Sequence, residues 1–173
     1  IPLWEVLRGH PAALAGGTVA AVACFAFFYI ATAFALGYGT TTLGIDRSEF
    51  LLIQIVAILF LAVGILVSGW WSDARTPALV LASGCAMGIP VALLLGPLLS
   101  GSRIEIFVFL SLSLFVMGLL YGPLGAWLPG LFPTRVRYTG VSIAFNAGGI
   151  FGGALTPFAA QIMAEKAGLG WVG

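Results

Sequence analysis

The chain has 173 residues, of which 61% are hydrophobic and only 8% are charged, and its mean hydropathy is +1.13. Soluble domains carry about 25% charged residues. A chain of this size cannot bury so much apolar surface in one core, so the composition excludes an ordinary water-soluble domain. The formal net charge of +1 and the lack of any basic tract exclude nucleic acid as a partner. The lipid bilayer is the expected partner of most of this surface.

Five apolar runs without charged residues are long enough to cross a bilayer, which takes about 20 residues of helix. In lipid every backbone polar group needs an internal partner, so runs of this length are expected to be helices. The alternating pattern of a membrane β-strand is absent. The sequence therefore predicts an all-α, polytopic membrane protein with five transmembrane helices, at residues 12–36, 50–71, 78–98, 106–128 and 139–164.

Residues that carry redox, metal or catalytic chemistry are few. Cys24 and Cys85 lie in different apolar runs and are interpreted as small buried hydrophobes. His10 is the single histidine and lies near the N-terminus, so we expect no metal site and no cofactor. A membrane-embedded enzyme needs a nucleophile–base pair or metal ligands at membrane depth, and this sequence offers neither. An enzymatic function is not expected.

The link between the second and third spans is short and carries one acid and one base, Asp73 and Arg75. An aspartate there can meet a helix N-terminus or a neighbouring arginine, so the pair is suited to a latch between helices. The alternative is a solvated turn that only fixes topology, because surface ion pairs contribute little as a rule.

A polar hinge at residues 131–140 separates the fourth and fifth spans. Pro133 ends the preceding helix, and Thr134 is a candidate N-cap for the next one. Arg135 and Arg137 place two permanent positive charges at the aqueous edge of the bilayer. If the N-terminus is cytoplasmic, this hinge and the Asp73/Arg75 link both lie on the cytoplasmic side.

The fifth span contains a surface of small residues. Gly148, Gly149, Gly152 and Gly153 form two interleaved small-xxx-small pairs, which allow the backbone of another helix to approach closely. Pro157 follows in the same span and is expected to bend it.

The two links carry a family resemblance. Gly69-x-x-Ser72-Asp73 with Arg75 resembles a shortened form of the loop signature found between the second and third helices of each half of major facilitator superfamily transporters. Leu131-Phe132-Pro133-Thr134-Arg135-Val136-Arg137-Tyr138-Thr139-Gly140 closely resembles the loop between helices ten and eleven of the metabolite:proton symporter family in that superfamily. One departure is Gly130, where that family often has a glutamate.

The resemblance implies that residues 1–173 are a partial C-terminal six-helix half, namely helices seven to eleven of twelve. The last helix and the N-terminal half would lie outside this sequence, and that half would be a partner within the same polypeptide. The implied function is secondary transport in a bacterial inner membrane, as proton-coupled symport of a small organic acid or zwitterionic metabolite by alternating access. Asp73, Arg75, Arg135 and Arg137 would then form a cytoplasmic gate.

Uncharged polar residues within the spans are the candidates for contact with a substrate, because each needs a partner or a water-filled cavity at membrane depth. They are Tyr29, Thr32, Gln54, Tyr121 and Asn146. The alternative for each is a hydrogen bond between helices, which contributes about 0.6 kcal/mol on average in membranes.

Proton coupling needs a titratable group in the pathway, and no predicted span has a charged residue at its centre. The resemblance implies that such groups lie in the N-terminal half. Two alternatives to a proton symporter remain open. One is a facilitator or exchanger without coupling, from the same superfamily. The other is a helical membrane scaffold that transports nothing and assembles through the glycine surface.

Overall fold

The computed structural model describes residues 2–173, with side chains from Leu3 onward, and it is almost entirely helical, without a strand in that range. The helices are α1 (Pro2–Gly9), α2 (Pro11–Thr41), α3 (Arg47–Ala74), α4 (Pro77–Leu93), α5 (Leu95–Leu99), α6 (Arg103–Gly130) and α7 (Arg137–Ala167). A short 3-10 turn, Leu169–Trp171, follows α7. The predicted all-α class is confirmed.

Four of these helices, α2, α3, α6 and α7, are long and apolar enough to cross a membrane. The predicted third span differs, because it consists of the 17-residue helix α4 and the short helix α5. Pro90 lies in the last turn of α4, where its missing N–H weakens the helix. Beyond it, the N–H of Leu94 is shared between the carbonyls of Pro90 and Val91, both at 3.2 Å, and the helix ends.

Side chains cap the helices that begin at two of the polar links. Asp46 accepts a hydrogen bond from the N–H of Ser48 at 2.8 Å and another from the Ser48 hydroxyl, so α3 begins at a satisfied N-terminus. These bonds, the side-chain one first, hold the pKa of Asp46 below its usual range. Ser102 and Glu105 form a reciprocal capping box at the start of α6.

The predicted N-cap at Thr134 is wrong. Residues 133–136 form a tight turn in which the N–H of Val136 donates to the carbonyl of Pro133 at 3.0 Å. The turn delays the helix, so α7 begins at Arg137, with Val136 in the cap position and no side-chain cap. Arg137 closes the same turn by donating from Nε to the carbonyl of Phe132 at 3.3 Å.

Helices α3 and α6 pack in parallel and keep one register along their length. A separation of 54 residues joins Glu49 to Arg103, whose side chains form a two-pronged ion pair at the start of the two helices. The same separation brings Gly64 against Gly118 further along. Ser68 then donates its hydroxyl to the carbonyl of Gly118 at 3.2 Å. The two backbones are therefore in direct contact, as small residues permit in membranes.

Helix α6 lies at the centre of the bundle, and α3 lies at its edge. The side chains of α6 are largely buried from Phe109 to Leu124. On α3 the large apolar side chains are exposed on one face, at Leu52, Ile55, Leu59, Leu66 and Trp70. Such a face is unfavourable in water, so α3 presents an apolar surface suited to acyl chains or to another apolar helix.

Replacing Gly118 by alanine should destabilise the bundle, because the new Cβ would lie 2.9 Å from the Cα of Gly64 and 2.8 Å from the backbone nitrogen of Ile65. Overpacking of this kind costs about 1–3 kcal/mol. Gly125→Ala on the same helix is the matched control, since nothing lies within 4 Å of its added Cβ. Thermal unfolding in detergent checks the pair: Gly118→Ala should lower Tm and Gly125→Ala should not. Equal Tm values would contradict the close contact.

Candidate functional site

A polar recess lies between α2 and α7, two of the helices long enough to cross a membrane. It is an open cleft of about 550 Å³, and its polar side chains are those of Tyr29 on α2 and Asn146 on α7. Phe25 and Phe145 form an edge-to-face pair on the cleft wall, with ring centroids 5.1 Å apart. No charged side chain lines the cleft among the residues that the structure describes.

Glycines let α7 approach α2 along this cleft. A Cβ on Gly152 would lie 2.7 Å from the carbonyl oxygen of Val22, and one on Gly153 would lie 2.8 Å from the ring of Tyr29. Gly148 contacts Ala21 just as closely, whereas Gly149 has ordinary van der Waals space against Phe25 and borders the cleft. Gly148, Gly152 and Gly153 thus bring the backbone of α7 against α2 and leave the ring of Tyr29 at the edge of the cleft.

Both helices depart from α-geometry beside the cleft. Residues Ile30–Phe34 form the α2 π segment, which begins directly after Tyr29. Residues Gly149–Leu155 form the α7 π segment, which contributes part of the cleft wall. Segments of π-helix are rare and occur often at functional sites, where they re-aim side chains and expose backbone carbonyls. Their position next to the same recess marks it as the candidate site.

The five candidate pathway residues fall into three places. Tyr29 and Asn146 line the cleft. The amide of Asn146 donates one hydrogen bond to the carbonyl of Ser142 at 2.8 Å, which leaves its other N–H and its carbonyl oxygen for a ligand. Tyr121 lines a neighbouring apolar pocket of about 350 Å³, to which Phe145 also contributes.

Gln54 and Thr32 form the third place, away from the cleft. The Nε2 atom of Gln54 donates to the carbonyls of Ala31 at 3.0 Å and of Thr32 at 2.9 Å. The hydroxyl of Thr32 donates to the carbonyl of Phe28 at 2.7 Å. Both side chains therefore have backbone partners around the α2 π segment.

The predicted gate arginines after α6 have different partners. Arg135 pairs with Glu5 of α1 at 3.5 Å, and its side chain is 82% exposed. Helix α1 also inserts the fully buried Val6 into an apolar cluster with Phe132 and Val136. The turn after α6 is therefore held from α1 by one ion pair and one apolar contact, whereas Arg137 is bound within the turn itself.

Asp73 and Arg75 are exposed, and neither forms an ion pair with any other residue of 2–173. The chain alternates direction from helix to helix, and Glu49–Arg103 joins the starts of the parallel helices α3 and α6. The Asp73/Arg75 link and the turn that carries Arg135 consequently lie at the same end of the bundle. A latch role for Asp73 and Arg75 stays a prediction.

Sequence reasoning missed several residues that matter here: Glu5, Phe25, Phe145, Gly64 and Gly118. The glycine pair had a readable signal, because Gly64–Ser68 and Gly118–Gly122 are small-xxx-small spacings like those of α7. Glu5 had a weaker signal, as an acid on a short helix beside a basic hinge. Within the described part of the chain, no group of histidine, cysteine and acidic residues could hold a metal ion.

Comparison with known proteins gives relatives that match nearly the whole of this chain. The inner membrane metabolite transport protein YhjE of Escherichia coli is 38% identical over 181 residues, which span all of this chain and 41% of the relative. The shikimate transporter of Escherichia coli is 27% identical, over 94% of this chain and 38% of the relative. The ectoine/proline transporter ProP of Corynebacterium glutamicum is 25% identical, over 95% of this chain and 33% of the relative.

No family model and no solved structure matches the chain. The chain spans about 33–41% of the length of these relatives. The predicted location, a bacterial inner membrane crossed several times, is confirmed by the first relative and by the long apolar helices. Along its whole length the chain is thus a relative of the metabolite transport proteins, and its predicted resemblance to the metabolite:proton symporter family of the major facilitator superfamily is confirmed.

Proposed function

We propose that this chain is part of a secondary transporter that carries a small organic acid or zwitterionic metabolite across the inner membrane. In this proposal it supplies helices seven to eleven of twelve, and the N-terminal half of the same polypeptide closes the pathway from the other side. The observation that carries the proposal is the cleft between α2 and α7, where two uncharged polar side chains face an open recess in an otherwise apolar bundle.

The chemistry of the cleft suits a carboxylate or hydroxyl group. The free N–H of Asn146 and the phenol of Tyr29 can each donate a hydrogen bond, and both can also accept one. Shikimate, proline and ectoine, after which two of the relatives are named, all carry a carboxylate. The aromatic wall of Phe25 and Phe145 would contact the apolar part of such a small ligand.

The second part of the proposal is that transport is coupled to protons. Every charged residue of the chain lies in a loop or in a terminal turn of a helix, so the cleft itself offers no acid or histidine to carry a proton. In this proposal the proton-carrying group belongs to the N-terminal half. A facilitator or exchanger without coupling is the alternative, and a pH gradient separates the two.

Alternating access would open and close the cleft from the two sides of the membrane. The turn after α6 is the part of this chain suited to a cytoplasmic gate, because it carries Arg135 and is tied to α1 through Glu5. Asp73 and Arg75 lie at the same end and would meet charged partners of the other half in one conformation.

Uptake by the full-length protein in proteoliposomes tests the transport proposal. Labelled shikimate, proline and ectoine form the panel, measured with an inward proton gradient and again after a protonophore. We expect accumulation of at least one compound with the gradient and loss of that accumulation without it. Equal entry in both conditions would indicate a facilitator or exchanger. No entry of any of the three would contradict the proposed substrate class.

Asn146→Leu should raise KM for the transported compound by about tenfold or more, because a hydrogen bond to a charged group contributes about 1.5–3 kcal/mol. Ser142→Ala is the matched control. It removes a hydroxyl one turn away on the same helix and leaves the backbone carbonyl that Asn146 uses. Initial uptake rates over a range of concentrations measure both variants. An unchanged KM for Asn146→Leu would remove this residue from the site.

Arg135→Glu should slow uptake by up to about fivefold, since it sets two carboxylates against each other where an exposed pair contributes about 0.2–1 kcal/mol. Adding Glu5→Arg restores the opposite charges and should restore the rate. Arg75→Glu is the control background, because Arg75 has no ion pair with Glu5 and Glu5→Arg should not rescue it. Rescue in both backgrounds, or in neither, would contradict a specific contact.

A further inference from the structure

We propose that Gln54 is a positioning residue that fixes the α2 π segment on α3 and thereby sets the place of Tyr29 in the cleft. The part of this inference that concerns transport rests on the proposed function. It reassigns Gln54, since a residue in the substrate pathway would offer its amide to a ligand rather than to the backbone of a neighbouring helix.

The hydrogen bonds of the π segment show why Gln54 is needed. The N–H of Ala35 donates to the carbonyls of Ile30 and Thr32 rather than to that of Ala31, its partner in an α-helix. The carbonyl of Ala31 is thereby without the N–H of Ala35, its donor in a regular α-helix. Gln54 donates to this carbonyl at 3.0 Å and to the next one, of Thr32, at 2.9 Å.

The donor inventory of Gln54 is then complete. Its amide nitrogen has two N–H groups, and each has a carbonyl partner on α2, so only the side-chain oxygen is left as an acceptor. An acceptor alone cannot bind the carboxylate of an organic acid or a zwitterion. The geometry therefore favours a role in holding α2 over a role in binding the substrate.

The helix that carries Gln54 packs closely against α6. Gln54 projects from α3, and α3 is fixed to α6 by the Glu49–Arg103 pair at one end and by direct backbone contact at Gly64 and Gly118. The α2 segment that it holds follows Tyr29 directly. The hydrogen bonds of Gln54 thus hold the part of α2 next to Tyr29 in a fixed position relative to α3 and α6.

The two π segments differ in this respect. In α7, the side-chain hydrogen bond to the π segment within the described residues is that of the Thr156 hydroxyl to the carbonyl of Phe151, a local bond of 3.4 Å. The α2 π segment is held from another helix, whereas the α7 π segment rests on its glycines against α2. Loss of Gln54 should therefore loosen α2 at the cleft without unfolding the bundle.

The experiment compares Gln54→Met with wild type by amide hydrogen exchange on the full-length protein in nanodiscs, without substrate. Methionine keeps the length of the side chain and removes both donors. We expect exchange of the amides at residues 30–36 to become about threefold to twentyfold faster, the range that corresponds to hydrogen bonds between membrane helices. Exchange at residues 114–120 of α6 should stay unchanged. Unchanged exchange at residues 30–36 would overturn the proposal.

Gln161→Met is the matched control, because it makes the same substitution where the amide bonds only Glu165 of its own helix, at 2.8 Å. It should leave residues 30–36 as in wild type. For a compound taken up by wild type, Gln54→Met should raise KM, because it displaces Tyr29, and it should raise KM no further in a Tyr29→Phe background. An equal rise in KM in both backgrounds would instead assign Gln54 to the substrate. If wild type takes up nothing, the transport proposal fails and the exchange measurement still decides the role of Gln54.

Discussion

The bundle depends on one constraint, that each backbone polar group at membrane depth must find a partner within the protein. Regular α-helix satisfies the constraint along most of the chain. Helix α2 departs from it beside the cleft, where the carbonyl of Ala31 loses the N–H of Ala35 and receives a hydrogen bond from Gln54 on the next helix. The same constraint that makes the spans helical therefore decides which side chain must stand opposite the irregular segment.

The two closely packed pairs of helices differ in how regular they are. Helices α3 and α6 keep one register from the Glu49–Arg103 pair through Gly64 and Gly118, where their backbones are in direct contact. Helices α2 and α7 also meet through glycines, but both leave α-geometry where they meet. The closely packed pair α3 and α6 can hold the site in place, while the irregular pair α2 and α7 lets one wall of it bend.

Much of the fold could be predicted from the sequence, because hydropathy and charge fix where helices start and stop. Four of the predicted spans lie within helices that are long and apolar enough to cross a membrane. The break after Leu93 was missed because a proline in a membrane helix can bend it or end it, and only the neighbouring contacts decide. No sequence pattern predicts the π segments. The role of Gln54 therefore could not be predicted without the positions of its two carbonyl partners.

The turn after α6 is held by an acid from another helix. The family often has a glutamate where this chain has Gly130, and that position is exposed with nothing near it. The acid that meets Arg135 comes instead from Glu5 on α1, a helix that also buries Val6 against the same turn. An acid on the turn itself would act within one loop, whereas an acid on α1 ties the loop to the start of α2. The turn after α6 and the cleft wall are therefore joined through the chain, because α1 leads directly into the helix that carries Tyr29.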